Sequence, residues 1–132
     1  MRATGLGIFD MFLNGKRIGE DKDGYADEYK PGWTDYRIRV YEYEYDVTEL
    51  CDKENLFVAE VSEGWWSGRI SFNMYGARPL AFAAEIEIEN KDGSKEIIGS
   101  DETWETCIGG PVQRASIWDG EYYDSTIPRP SI

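Results

Sequence analysis

Residues 30–36 bring together side chains of the types that bind neutral, hydroxyl-rich molecules. Within this Lys-Pro-Gly-Trp-Thr-Asp-Tyr segment, Trp33 lies two positions before Asp35. An indole face packs against the C–H surface of a sugar ring, and a carboxylate accepts hydrogen bonds from sugar hydroxyls. Pro31 and Gly32 favour a turn that would direct Trp33 outward. Trp33 and Asp35 are therefore our first candidates for carbohydrate contact, and the alternative is that Trp33 packs down on the fold as a lid.

Two features of the composition narrow the class of function. None of the 132 residues is His, which removes the commonest general base and the commonest metal ligand and favours a binding module over an enzyme. The net charge of −12, from 26 acidic and 14 basic residues, repels phosphate groups, so we expect no nucleic-acid partner and no membrane partner. No segment approaches the ~20 apolar residues that span a bilayer, and the first residues do not resemble a signal peptide. We expect a soluble domain whose cellular location the sequence leaves open.

A second aromatic group follows in the middle of the chain. Trp65 and Trp66 are adjacent, lie between Gly64 and Gly68, and are followed by Arg69. In a strand the two indoles would point to opposite faces, whereas the flanking glycines favour a loop. Arg69 either bonds to sugar hydroxyls or forms an internal brace with a carboxylate. We count Trp65, Trp66 and Arg69 among the carbohydrate-binding candidates and leave both alternatives open for Arg69.

Three acidic residues near the end of the chain, Asp119, Glu121 and Asp124, lie within six positions. Glycoside hydrolysis requires two carboxylates about 5–9.5 Å apart, a separation that the sequence does not give. Because acidic side chains are abundant along the whole chain, we predict no catalytic residue here. Asp119 and Glu121 are kept as carbohydrate-binding candidates, with hydrogen bonding at a domain interface or a calcium site as alternative roles. The neighbouring Tyr122 and Tyr123 fit the interface alternative, because Tyr is enriched at interfaces.

The acidic loop around Asp21 and Asp23 is the one segment where we consider a metal. Calcium takes oxygen ligands from loops of this kind. The loop lacks the full Asp-x-Asp-x-Asp-Gly spacing and the distal Glu of an EF-hand. Asp21 and Asp23 are therefore calcium candidates on their oxygen chemistry alone, and calcium is the one cofactor that we consider.

The two cysteines, Cys51 and Cys107, leave two alternatives open. They form one disulfide bridge, or they are two buried thiols. With no His in the chain neither is a papain-like nucleophile, and two thiols alone do not complete a four-ligand zinc site.

The hydrophobic pattern predicts short strands from end to end. Asn14-Gly15 between two strand-like runs is a strong hairpin signal, because a type I′ turn needs two positive φ angles. Asp46 and Glu49 predict a capping box on one short helical turn. Strands are predicted at residues 8–13, 16–19, 37–45, 56–61, 80–88, 96–98, 103–107 and 112–118. This pattern favours an all-β fold, an antiparallel jelly-roll-like β-sandwich over residues 1–126, and the Pro-containing residues 127–132 are predicted to begin a linker.

Eight segments of the chain carry a resemblance when they are taken in order. The first three are Phe12-Leu13-Asn14-Gly15-Lys16-Arg17-Ile18-Gly19, Pro31-Gly32-Trp33-Thr34-Asp35-Tyr36 and Tyr45-Asp46-Val47-Thr48. The later ones are Gly64-Trp65-Trp66-Ser67-Gly68-Arg69, Asp92-Gly93-Ser94, Asp101 with Trp104, Gly110-Pro111 and Asp119-Gly120-Glu121-Tyr122-Tyr123-Asp124. In this order they resemble the N-terminal domain of bacterial α-L-rhamnosidases, which are glycoside hydrolases of family 78. The chain departs from that pattern in beginning just inside the usual first strand and in having Trp66 where a Tyr is common.

The resemblance implies a β-sandwich domain that is not itself an enzyme. Catalysis in such proteins belongs to a separate (α/α)6 barrel, which is not in this chain and is the expected partner. In some relatives a similar domain binds L-rhamnose with calcium, and in others it serves only to pack against neighbouring domains. Two functions therefore stay open, binding of rhamnose-containing carbohydrate and purely structural packing. A domain separated from its partner would expose its docking surface, so self-association is also expected.

Overall fold

A computed structural model of the chain describes residues 1–70, 73–74 and 79–129, with only the backbone described at 73–74. Nearly all regular structure in these residues is β-strand. The strands are β1 (Arg2–Leu6), β2 (Ile8–Leu13), β3 (Lys16–Arg17), β4 (Tyr43–Glu44), β5 (Phe57–Ser62), β6 (Arg69–Ile70), β7 (Asn73–Met74), β8 (Ala81–Glu89), β9 (Lys95–Gly99), β10 (Val112–Ser116) and β11 (Gly120–Tyr123). The helices are a 3₁₀ turn at Thr48–Leu50 and a single turn, α1, at Gly64–Ser67. None of the described helices has the length and apolarity needed to cross a bilayer.

Two antiparallel sheets form the body of the fold. One has the strand order β4-β1-β8-β9 and the other has the order β3-β2-β5. Two hairpins, β10-β11 and β6-β7, accompany them. The buried residues of β1 and β2 alternate with less buried ones, as expected for strands that face a core on one side only. The chain is an all-β sandwich, as the sequence predicts.

The core lies between the inner faces of these two sheets. Its buried hydrophobic residues are Ala3, Phe9, Met11, Leu13, Ile18, Val47 and Ala84. Phe9 of the second sheet meets Phe82 of the first edge-on, with ring centroids 5.3 Å apart. Edge-to-face contacts at this distance match the quadrupoles of the two rings. The core therefore joins the sheets through aromatic contacts as well as aliphatic packing.

The predicted Asn-Gly hairpin is confirmed. Asn14 and Gly15 have φ angles of 53° and 77°, and Leu13 pairs with Lys16 across the turn. The side chain of Asn14 also ties the turn to a distant loop: its amide donates to the backbone O of Leu50, 2.9 Å away, and its Oδ1 accepts from the backbone N of Leu56 at 2.9 Å. The turn residue is therefore part of the tertiary structure.

The predicted strands at residues 56–61, 80–88, 96–98 and 112–118 correspond to β5, β8, β9 and β10, with shifted ends. Two predicted strands are wrong. In the 37–45 segment only Tyr43–Glu44 is a strand, because the backbone N–H groups of Ile38 and Arg39 turn back to the carbonyl of Asp35, at 2.8 and 3.0 Å. Residues 103–107 form no strand because Thr103 donates from its backbone and its hydroxyl to Oδ1 of Asp101. Local hydrogen bonds of this kind compete with a sheet ladder.

The capping box at Asp46 is also corrected. A 3₁₀ turn follows at Thr48–Leu50, but its N-cap is Val47, and the helix has no side-chain cap hydrogen bond. Asp46 instead accepts from the backbone N and the hydroxyl of Thr48, at 2.9 and 2.6 Å. The predicted linker at 127–132 stays a prediction, and its last three residues lie outside the described part of the chain.

Candidate functional site

Four aromatic side chains from two distant segments meet at the surface. Trp33 stacks on Trp65 with ring centroids 6.0 Å apart and planes 22° apart. Tyr36 meets Trp66 edge-on, with centroids 5.3 Å apart. We call these four residues the aromatic platform. It brings together Trp33, Trp65 and Trp66, three of the residues that the sequence singles out.

The loop that carries Trp33 is anchored to the fold at Lys30 and Pro31. Lys30 and Pro31 are fully buried, and the carbonyl of Lys30 accepts from the backbone N of Phe9 in β2, at 3.1 Å. Gly32 follows with a φ of 82°, a conformation that costs a glycine little, and its carbonyl accepts from the hydroxyl of Tyr36 at 3.0 Å. The turn predicted at Pro31 and Gly32 is present, and it places Trp33 at the surface.

The other half of the platform is the single helical turn α1. Gly64 has a φ of +49°, and a Cβ there would lie 2.7 Å from the backbone N of Ile8. A Cβ on Gly68 would lie 2.5 Å from the carbonyl of Gly64 and 3.0 Å from Oγ of Ser116. The glycines that flank the two indoles therefore allow close backbone approach to neighbouring parts of the fold. The loop that these glycines favour in the sequence is instead a helical turn.

Glu63 fastens α1 to β10. Its Oε2 accepts from the backbone N of Ala115 at 3.1 Å, and its Oε1 lies 3.3 Å from Nε of Arg114. A parallel bridge pairs Gly64 with Ser116 beside this contact. The position of Trp65 is thus set by β2 on one side and by β10 on the other.

The three platform indoles differ in exposure. Trp33 is 58% exposed, whereas Trp65 and Trp66 are partly buried. The indole N–H of Trp66 donates to the carbonyl of Pro79 at 2.9 Å. The exposure of Trp33 leaves part of its indole accessible to a ligand, and ligand contact by Trp33 stays a prediction. Trp65 is less exposed than Trp33 and stacks on it, so one face of the Trp33 indole is packed against protein.

The polar candidate next to Trp33 is already paired. Asp35 accepts from Nε and Nη2 of Arg37, at 2.9 and 2.8 Å, and also from the Arg37 backbone N at 3.1 Å. These hydrogen bonds lower the pKa of Asp35 to about 2, with the side-chain bonds to Arg37 as the larger cause. Asp35 is therefore an anion at neutral pH, and a carboxylate keeps acceptor capacity beyond two or three such bonds.

Arg69 forms the brace that was one of its two predicted alternatives. Its Nε and Nη2 donate to Oδ1 of Asp119, at 3.0 and 2.6 Å. The pair joins β6 to the turn between β10 and β11, and the bond from Arg69 holds the pKa of Asp119 below its ordinary value. Glu121 is exposed in β11, opposite Ala115. A sugar-binding role for Arg69, Asp119 and Glu121 stays a prediction.

In the acidic loop, Asp21 organises the backbone. Its Oδ1 accepts from the backbone N of Asp23 at 2.8 Å and from that of Tyr25 at 3.0 Å. Within the residues that the structure describes, no group of three or more acidic or thiol side chains converges as metal ligands do. Calcium binding by Asp21 and Asp23 stays a prediction. Cys51 and Cys107 are both free and exposed, so neither a bridge nor two buried thiols is present.

Three residues of the site were not singled out by sequence reasoning. Tyr36 lies in the same segment as Trp33 and Asp35, and its aromatic type is the only signal of its role in the sequence. Lys30 gives no signal because lysine is usually exposed. Glu63 is one acidic residue among many, so its contact with β10, more than fifty positions away, is visible only in three dimensions.

The fold places this chain among antiparallel β-sandwich domains. The family described as the alpha-L-rhamnosidase N-terminal domain matches residues 1–130. An alpha-L-rhamnosidase of Streptomyces avermitilis is 39% identical over 127 residues, which cover 93% of this chain and 12% of that protein. One from Alteromonas sp. is 36% identical over 127 residues, covering 94% of this chain and 13% of that protein.

Solved structures agree with these sequence matches. The crystal structure of the Streptomyces avermitilis alpha-L-rhamnosidase complexed with L-rhamnose has a TM-score of 0.82 at 38% identity, over 96% of this chain and 12% of that one. The native enzyme from Aspergillus terreus has a TM-score of 0.79 at 33% identity, over 96% of this chain and 14% of that one. The chain therefore belongs to the alpha-L-rhamnosidase N-terminal domain family. It spans about an eighth of the length of these relatives.

Proposed function

We propose that this chain is a non-catalytic accessory domain of an alpha-L-rhamnosidase and that it binds a rhamnose-type sugar on the aromatic platform. The observation that carries the proposal is the stacked pair of Trp33 and Trp65, in which Trp33 is 58% exposed. An indole fixed at the surface offers contact area without losing side-chain freedom on binding, and that loss is one of the main costs of association.

Charged groups beside the platform suit a hydroxyl-rich ligand. Asp35 lies two residues from Trp33 and is ionised, and Arg37 donates to it and balances its charge. Arg69 is separated from α1 by Gly68 alone and is paired with Asp119. Such pairs present acceptors and donors side by side, which is what a sugar hydroxyl requires. The Streptomyces avermitilis relative was crystallised as a complex with L-rhamnose, and this supports the choice of sugar class.

Hydrolysis is assigned to another domain of the parent protein. The chain has no His, and it spans about an eighth of the length of its relatives. The resemblance described above implies an (α/α)6 barrel as the catalytic domain. We therefore expect the isolated chain to release no sugar from a rhamnoside.

Packing against other domains is a second candidate function. Large apolar side chains are exposed near β9, β10 and β11, among them Ile97, Ile108, Trp118 and Tyr122, and Ile108 is 96% exposed. We infer that these side chains belong to a surface that another domain covers, because a contiguous exposed apolar patch marks an interaction site. For the isolated domain this function predicts self-association, and a strict monomer in sedimentation at high concentration would argue against it.

Titration calorimetry with L-rhamnose tests the sugar-binding proposal. Trp33→Ala should weaken binding at least about tenfold, which is about 1.4 kcal/mol. Trp118→Ala is a matched control, because Trp118 is 55% exposed and is not part of the platform. Repeating the titration with calcium and then with a chelator tests Asp21 and Asp23.

Each outcome of this titration is informative. Binding that needs calcium and is lost in Asp21→Asn would extend the site to the acidic loop. Equal weakening by Trp33→Ala and Trp118→Ala would move the site away from the platform. No heat at millimolar L-rhamnose in either condition would sink sugar binding and leave domain packing as the function.

A further inference from the structure

A lysine is buried in the loop that carries Trp33 of the aromatic platform. The side chain of Lys30 is 1% exposed, and Lys30 lies three residues before Trp33. Lysine is almost never fully buried unless its charge is paired, because an unpaired ammonium in the interior is costly. The position of this ammonium is therefore determined by its partners.

Those partners connect the loop to the sheet. The ammonium of Lys30 donates to the backbone O of Asp27 at 2.6 Å, and it lies 3.5 Å from Oδ1 of Asp10 in β2. Oδ2 of Asp10 accepts from Nε of Arg17 at 2.5 Å, and Arg17 in turn binds both carboxylate oxygens of Glu28, at 3.0 and 2.7 Å. We call Lys30, Asp10, Arg17 and Glu28 the charge chain.

The charge chain begins and ends in the loop and passes through the sheet in between. Lys30 and Glu28, its two ends, belong to the loop that leads to Trp33, while Asp10 and Arg17, its middle, belong to β2 and β3. Positive and negative groups alternate, so each neighbour stabilises the next. The loop is thus bound to the sheet at two points by opposite charges, and Lys30 is the inner, buried point.

The backbone is fixed at the same residue. The carbonyl of Lys30 accepts from the backbone N of Phe9, and Pro31 after it is fully buried. The next residue, Gly32, has a φ of 82° and begins the exposed part of the loop. Lys30 is therefore the last residue before Trp33 with both its backbone and its charged side chain held by the sheet.

We propose that Lys30 is a positioning residue, whose ammonium holds the loop against Asp10 so that Trp33 stacks on Trp65. The consequence for affinity rests on the proposed sugar-binding function, whereas the consequence for the stacking does not. Loss of the ammonium should release the loop and change the surroundings of both stacked indoles. It should leave indoles elsewhere in the fold unchanged.

The five tryptophans provide the readout, because each gives one indole N–H signal in a ¹⁵N–¹H NMR spectrum. Lys30→Met keeps most of the buried side-chain volume and removes the charge. We expect the signals of Trp33 and Trp65 to shift or broaden, and the signals of Trp104 and Trp118 to stay in place. A role in general stability alone would affect all five signals together or none.

Lys22→Met is the matched control, because Lys22 is exposed and its nearest carboxylate, on Asp23, is 3.6 Å away. It should leave all five indole signals unchanged. Asp10→Asn is a second route if Lys30→Met does not fold, since it removes the opposite charge and keeps the side-chain size. It should move the same two signals. Unchanged signals of Trp33 and Trp65 in a folded variant of either kind would overturn the proposal.

A sugar titration of the same variants separates the two proposals. If wild-type protein binds L-rhamnose, Lys30→Met should weaken binding at least about tenfold, and Lys22→Met should not weaken it. If wild-type protein binds no sugar, the proposed function fails, and the indole signals still decide whether Lys30 positions the platform.

Discussion

Replacing Gly64 by Ala tests how closely α1, which carries Trp65 and Trp66, approaches β2. Two costs follow from the structure. Gly64 has a φ of +49°, and a residue with a Cβ pays roughly 1–2 kcal/mol for a left-handed conformation. The new Cβ would also lie 2.7 Å from both the backbone N and Cβ of Ile8. Overpacking of this kind costs about 1–3 kcal/mol, so the expected loss in free energy of unfolding is about 2–5 kcal/mol.

A matched control separates the two costs. Gly93, in the turn between β8 and β9, has a φ of +80°, and a Cβ there would meet nothing within 4 Å. Gly93→Ala should therefore lose only the conformational part, roughly 1–2 kcal/mol. Urea unfolding of both variants measures the two losses, and the slope of free energy against urea should stay the same if only stability changes.

The difference between the variants is the quantity that tests the reasoning. It should be about 1–3 kcal/mol, which is the steric part alone. Equal losses for Gly64→Ala and Gly93→Ala would mean that α1 does not lie against the start of β2. The support described here for Trp65 would then be wrong.

Three further predictions concern other parts of the molecule. Met11→Ala removes a fully buried core side chain and should lower the free energy of unfolding by about 2–5 kcal/mol in urea titration. Cys51 and Cys107 should both react with a thiol reagent in the absence of denaturant, because both are free and exposed, and a single reactive thiol would contradict this. The pKa of Asp35 is lowered from 3.8 to about 2, so its pair with Arg37 should persist above pH 3.8 and be lost as the pH falls through 2. An NMR titration of the Asp35 carboxyl carbon should measure this lowered pKa, and Arg37→Gln should return it towards 3.8.

Features encoded by neighbouring residues could be read from the sequence. Asn14 and Gly15 specify their turn because the required φ angles belong to these two residue types, and the hairpin follows directly. The long strand β8 can be predicted from the sequence because Phe82, Ala84 and Ile86 recur at every second position along it. In both cases the deciding interactions lie within a few positions of each other.

The wrong strands fail because of local hydrogen bonds. The carboxylates of Asp35 and Asp101 accept from the backbone N two residues later, and the carbonyl of Asp35 also accepts from the backbone N–H groups of Ile38 and Arg39. Side-chain alternation does not reveal these bonds, because it describes which faces a strand would have and not whether a local turn is more stable. The acidic composition of the chain makes such turns frequent.

The platform could be predicted only in part. The sequence identifies Trp33 and Trp65 as aromatic residues near glycines, but the stacking joins residues 32 positions apart and depends on how a loop meets a helical turn. The burial of Lys30 could not be predicted from the sequence, because lysine is almost always exposed. Contacts between distant segments depend on the whole fold, and no local pattern contains them.

The anchored side chain of Asn14 also bears on how the protein ages. An Asn followed by Gly is prone to slow deamidation, in which the next backbone nitrogen attacks the side-chain amide. Here that amide is held by the carbonyl of Leu50, by Oδ1 of Asn55 and by the backbone N of Leu56, so it is not free to turn towards Gly15. Chemical damage at this turn should therefore wait for local opening of the 50–56 loop, and its rate over weeks of storage would report how often that loop opens.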